Sequence, residues 1–148
     1  GVQTCALPIY YVIHFYTNHD EDIKLYKDIK YMYLSSPETE FYKPYPSSRQ
    51  DKKWMVLVKT DTGTKTVHFG ARGMRDYILI NDPKSEFYIS SAPERDVVRE
   101  NYLSRHAKEE DLWSDATTPS FWARWLLWGP YTTLEENLKY IKDTYHLS

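Results

Sequence analysis

The sequence predicts an α+β fold, and three observations carry that expectation. Two alternating apolar runs flank a short glycine-containing loop, a serine-capped helical stretch follows, and the C-terminal third holds a tryptophan-dense segment between sharp stops. Together they describe an antiparallel hairpin, or a three-stranded meander, packed against three helices over residues 51–146. A truncated strand and helix precede it.

The opening nine residues, GVQTCALPI, suit none of these elements. They lack the basic region and long apolar run of a signal peptide. They do coincide with the translation of a common sequencing adapter, so residues 1–9 are read as an artefact that carries the one cysteine, Cys5. Residues 10–34 then read as a truncated strand–helix segment. A β-branched, aromatic run ends at Asn18, and Leu25, Tyr26, Ile29, Met32 and Tyr33 recur at helical spacing. Residues 35–50, with three prolines and several serines, read as a linker that places the domain boundary near Asp51.

The hairpin comes next. KKWMVLVKT and TKTVHFG alternate on either side of Asp61, Thr62 and Gly63, read as a three-residue loop. That register pairs Leu57 with Val67 and Met55 with Phe69 on the core face. Trp54, Val56 and Val58 then share the other face with Thr66 and His68. A third strand is expected near Tyr77–Ile80, after a glycine-bounded turn. Ser91, three residues before Glu94, caps a helix in which Val98, Tyr102 and His106 recur every fourth position. Thr118 and Pro119 start the next helix, Gly129 and Pro130 stop it, and Thr133 with Glu136 caps the last. The middle helix is apolar nearly all round, which puts Phe121, Trp122, Trp125 and Leu126 at the centre of the domain. Leu138, on the stripe of the last helix, and Tyr102 complete the expected core.

Composition narrows the function classes. The 148 residues are 41% hydrophobic, 27% charged and 16% aromatic, with a net charge of −2. Such a balance gives the whole protein no attraction to polyanions, so any such binding must be local. No apolar run is long enough to span a bilayer, and no membrane partner is expected. Asp61-Thr62-Gly63 imitates an aspartic protease loop, but one copy after Lys59 and Thr60 is better explained as a turn. The five histidines lack paired metal-ligand spacing and the chain lacks paired cysteines, so no catalytic residue, metal site or cofactor is expected.

One constellation stands out. Lys52, Lys53, Lys59, Lys65, Arg72 and Arg75 face a single acid, Asp61, between residues 52 and 75. In the register above Lys59 and Lys65 oppose each other, a like-charge pair that an anion would relieve. Trp54 and His68 beside them would let the hairpin grip phosphate and stack a base. Arg95, Arg99 and Arg105 could join if they face the same side. Arg124, inside the apolar helix, must reach solvent, stack on an indole or pair with a carboxylate, for which Asp76 and Asp115 are the candidates.

PSSRQDKKWMV, KTVHFGARGMRDY, NYLSRH and SFWARWLLW followed by TLEENL, over about residues 47–142, resemble a small uncharacterised domain of large double-stranded DNA viruses. The resemblance implies a viral source, with a virion or virus factory as the setting, rather than an activity. Members of that family are strongly basic, whereas this chain is not, and PKSEFYISSAPE reads as an insertion. The expected function is a noncatalytic interaction or structural module with a protein partner. The alternative is nucleic-acid binding through the basic hairpin.

Overall fold

The computed structural model describes residues 39–148, so the adapter-like residues 1–9 and the strand–helix segment 10–34 lie outside the described residues. The chain divides into Gly1–Glu40 and Phe41–Ser148, and every element below belongs to the second unit. Its sheet is a three-stranded antiparallel meander of β1 (Tyr45–Pro46), β2 (Lys52–Thr60) and β3 (Gly63–Ala71). Four α-helices accompany it: α1 (Tyr77–Asn81), α2 (Ala92–His106), α3 (Pro119–Trp122) and α4 (Leu134–Tyr145). The α+β class is therefore as expected, while three of its details differ.

The first difference is register. Trp54 lies opposite Phe69, Val56 opposite Val67, Val58 opposite Lys65 and Thr60 opposite Gly63, so the loop is Asp61 and Thr62 alone. A shift of one residue moves every side chain of a strand to the other face. Val56, Val58, Val67 and Phe69 are consequently buried, and Trp54 packs against them. Met55 and Leu57, expected in the core, turn to the opposite face and are only half-buried, beside Tyr45 and Phe41. This register also separates the two lysines, with Lys59 opposite Thr64, and so avoids the like-charge cross-strand pair.

The second difference concerns the third strand. Tyr77–Asn81 is helical because the Asp76 carboxylate caps it, Oδ1 accepting the Leu79 N–H at 2.9 Å. Four apolar residues alone fit strand or helix equally well, and the cap decides between them. Tyr45–Pro46, inside the expected linker, supplies the missing strand, and Tyr42 is buried with its N–H donated to the Leu57 carbonyl at 2.9 Å. The compact unit thus starts at Phe41 rather than near Asp51.

The third lies in the tryptophan segment. α3 passes directly into a π-helical turn, Ala123–Leu127, closed by the Trp128 N–H on the Ala123 carbonyl at 3.1 Å. Phe121, Trp122 and Leu126 are fully buried, and each aromatic side chain contributes about 1.5–3 kcal/mol. Trp125, Tyr102 and Leu138 pack half-buried against this centre. Asn137 on α4, fully buried, holds the end of the turn. Its Nδ2 donates to the Leu126 and Tyr131 carbonyls, both at 3.0 Å, and its Oδ1 accepts the Tyr131 N–H at 2.9 Å. Gly129 is required here, since a Cβ would lie 2.1 Å from the Trp125 carbonyl oxygen. Ser91, Thr118 and Thr133 cap α2, α3 and α4 as their sequences predict. Ala107–Ser114, a 3-10 stretch, links α2 to the tryptophan segment. Among the described residues no helix is long and apolar enough to cross a membrane.

Candidate anion-binding groove

A groove of about 530 Å³ opens between the base of the β2–β3 ribbon, α2 and the tryptophan segment. Its shape begins at Gly70, whose φ of +74° turns the end of β3 and admits the Leu127 side chain where a Cβ would stand 2.8 Å away. Phe69, Leu127 and Val98 form an apolar floor. Val98, Asn101, Tyr102, Arg105 and His106 reach it from one face of α2, as helical spacing dictates. Trp128, Tyr102 and His106 make a ladder of rings along this wall. The Trp128 and Tyr102 rings stack at 4.1 Å and 5°, and Tyr102 meets the His106 ring at 4.4 Å, tilted by 31°. Burial drives the Tyr102 phenol up to about 12, so it stays neutral.

The structure divides the six expected hairpin cations. Lys52, Lys53 and Arg75 line the groove, whereas Lys59 and Lys65 stand at the ribbon tip, about 23 Å away at the usual rise per residue. Lys53 is structural: its Nζ lies 2.7 Å from Asp76 Oδ2, both side chains largely buried, and it also donates to the Met74 carbonyl. Arg72 donates to the Lys52 carbonyl at 2.9 and 3.2 Å, closing the open end of the ribbon. Lys59 reaches the Ser148 carbonyl at 2.7 Å and Lys65 the Thr117 carbonyl at 2.8 Å, from opposite faces of the ribbon. Trp54 and His68 likewise lie on opposite faces, so the clamp of two lysines, an indole and an imidazole expected from the sequence is not assembled.

Arginines elsewhere are engaged with backbone or rings. Arg95 donates to the Ile89 carbonyl, and Arg99 to those of Trp128 and Gly129 at 3.2 and 3.1 Å. Arg124 adopts the indole-stacking solution, 4.1 Å from the Trp125 ring centre and 5.1 Å from that of Trp113, and donates to the Trp128 carbonyl at 3.1 Å. Neither candidate carboxylate serves it, since Asp76 holds Lys53 and Asp115 accepts from Thr117. Burial, and then the Arg99 charge, lower its pKa, and its Nε is buried without a hydrogen-bond partner. Lys52, Arg75 and Arg105 are left out of the ion pairs formed by the described residues.

Two serine–histidine arrangements test for catalysis. In the groove, Ser120 Oγ donates to Glu109 Oε2 at 2.8 Å and Glu109 Oε1 lies 3.0 Å from His106 Nδ1. The hydrogen bonds from Ser120 and His106 hold the Glu109 carboxyl below its ordinary range. With the carboxylate in the middle, the hydroxyl is not activated by an imidazole, as a nucleophile triad demands. On the far face of the ribbon, Ser47 Oγ is 2.8 Å from His68 Nδ1, but the nearby Asp51 carboxylate is taken by Arg49 at 2.9 and 3.1 Å. This second pair ties β3 to the 47–49 turn. No cluster of three metal-ligating side chains occurs among the described residues.

The groove residues Asn101, Arg105 and His106 were visible in the sequence only as one face of a capped helix; their meeting with Lys52 and Arg75 is a long-range fact. No curated protein and no solved structure matches the chain. Residues 42–87, which span the whole sheet, α1 and the Arg72–Asp76 turn but stop short of the tryptophan segment, match a family of unknown function, DUF5754.

Proposed function

We propose that the Phe41–Ser148 unit is a noncatalytic interaction module that engages an anionic partner through the groove. The observation that supports it is the distribution of charge partners. Lys52, Arg75 and Arg105 line one opening outside the ion pairs of the described residues, and against these three cations stands one carboxylate not paired with a lysine or arginine, Glu109, so the cations are in excess. The local field is positive although the chain's net charge is −2, and an incoming anion relieves the mutual repulsion of the three cations. An acidic protein surface and a nucleic acid both satisfy that requirement. The resemblance to a domain of large double-stranded DNA viruses supports a partner that belongs to a virion or virus factory.

Titration with polyglutamate, heparin and labelled DNA across a salt series tests this reading. Binding with a steep salt dependence is expected, abolished by Arg75→Glu with Arg105→Glu and retained in Lys59→Glu with Lys65→Glu. The reverse pattern would return the contact to the hairpin tip. Absence of binding to all three polyanions at low salt would end the proposal.

A further inference from the structure

We infer that the groove, taken as the binding site proposed above, accepts a nucleotide unit of a single-stranded nucleic acid, its base stacked on His106 and its phosphate held by Arg75 and Arg105. The ring ladder is the observation that goes beyond charge. Tyr102 is stacked on Trp128 at 5° and meets His106 at 4.4 Å with a tilt of 31°, so its ring is already engaged by two others. His106 is the terminal ring of the series, its side chain 36% exposed, and it lines the groove. Glu109 fixes the imidazole at Nδ1 and is itself fixed by Ser120, so the terminal ring is held before any ligand arrives. A planar base adds a fourth step to such a stack without ordering a mobile side chain.

The dimensions agree. A volume of about 530 Å³ falls in the range of small-ligand sites and has room for a nucleotide but not for a duplex, whose base faces are in any case occupied. Asn101, on the same wall, offers both donor and acceptor atoms to a base edge. Acidic peptides would use the cations and leave the ring platform idle. The ladder therefore favours nucleic acid over an acidic protein.

Fluorescence anisotropy with a labelled oligothymidylate, compared with an abasic strand of equal length and with heparin, separates this inference from the general anion reading. The oligothymidylate should bind at least about five-fold more tightly than the abasic strand, the low end of what one stacked base contributes. His106→Ala should erase that difference, and His106→Phe, which keeps a ring, should retain it. Arg75→Gln with Arg105→Gln should flatten the dependence of log K on log salt by about 0.7 for each lost phosphate contact. Equal binding of the normal and abasic strands, with Arg75 and Arg105 still required, would overturn the nucleotide inference and leave the anionic module standing. No binding of any of the three ligands would overturn the inference, and no binding of polyglutamate as well would overturn both. Preferential binding of duplex or of a phosphoserine peptide would overturn the inference in favour of those partners.

Discussion

At the scale of single residues, the polar groups inside this unit are few and each has a defined task. Asn137 satisfies three backbone groups of the segment between Leu126 and Tyr131. Asn137→Leu removes all three partners, of which the Leu126 carbonyl alone is wholly buried, and a buried unsatisfied group costs about 1–3 kcal/mol, so urea unfolding should show a loss in that range. Breaking the Lys53–Asp76 pair with Asp76→Ala leaves a partly buried ammonium with only the Met74 carbonyl and uncaps α1 at once, and about 2 kcal/mol or more should be lost. Arg124→Met should change stability by less than about 1 kcal/mol, because lost indole stacking is offset by relief of the Arg99 charge and of an unpaired buried Nε. His68 supplies a pH dependence. Burial, and then Arg49, hold its pKa below the ordinary 6.5, so the folded state favours the neutral ring. Its stabilising contribution is complete above pH 6.5 and is lost as the pH falls through the lowered folded-state value. Thermal melts between pH 7 and pH 5 should therefore show a fall in Tm that is smaller in His68→Gln. Of these residues the sequence identifies Arg124 as a problem to be solved. Asn137, in contrast, looks like any polar helix residue, because burial of one side chain is set by what packs over it.

At the scale of elements, local chemistry and pairing chemistry differ in legibility. Ser91, Thr118 and Thr133 mark helix starts because a cap acts on N–H groups two or three residues away. Register is different, since alternation in β2 permits either face to be the core until a partner covers one of them. The two registers differ in a measurable way. Val56→Ala should cost about 2 kcal/mol and Met55→Ala less than about 1 kcal/mol in chemical denaturation, since only Val56 is fully buried. A larger loss at Met55 than at Val56 would reinstate the three-residue loop. The same distinction governs the groove. Arg105 and His106 share a helix face by spacing alone, but their approach to Lys52 and Arg75 needs the Gly70 turn and the Leu127 side chain that fills it.

At the scale of the molecule, the unit is organised around α3 and the π turn, against which β2, β3 and α4 pack. Its N-terminal limit is part of that organisation, because Tyr42 is buried and β1 pairs with β2. A chain that begins at Asp51 loses both. Full burial of one tyrosine-sized side chain is worth about 2–3 kcal/mol, so Tm should be about 10 °C or more below that of a chain beginning at Thr39. An equal Tm would make β1 dispensable. The α+β class, the capped helices and the central place of Phe121, Trp122 and Leu126 are legible in the residues alone, because composition, periodicity and caps act over a few residues. The strand register, the identity of the third strand and the gathering of Lys52, Arg75, Arg105 and His106 around one groove emerge only when the elements pack. Those outcomes depend on which surfaces bury each other across tens of residues, and no local pattern encodes that choice.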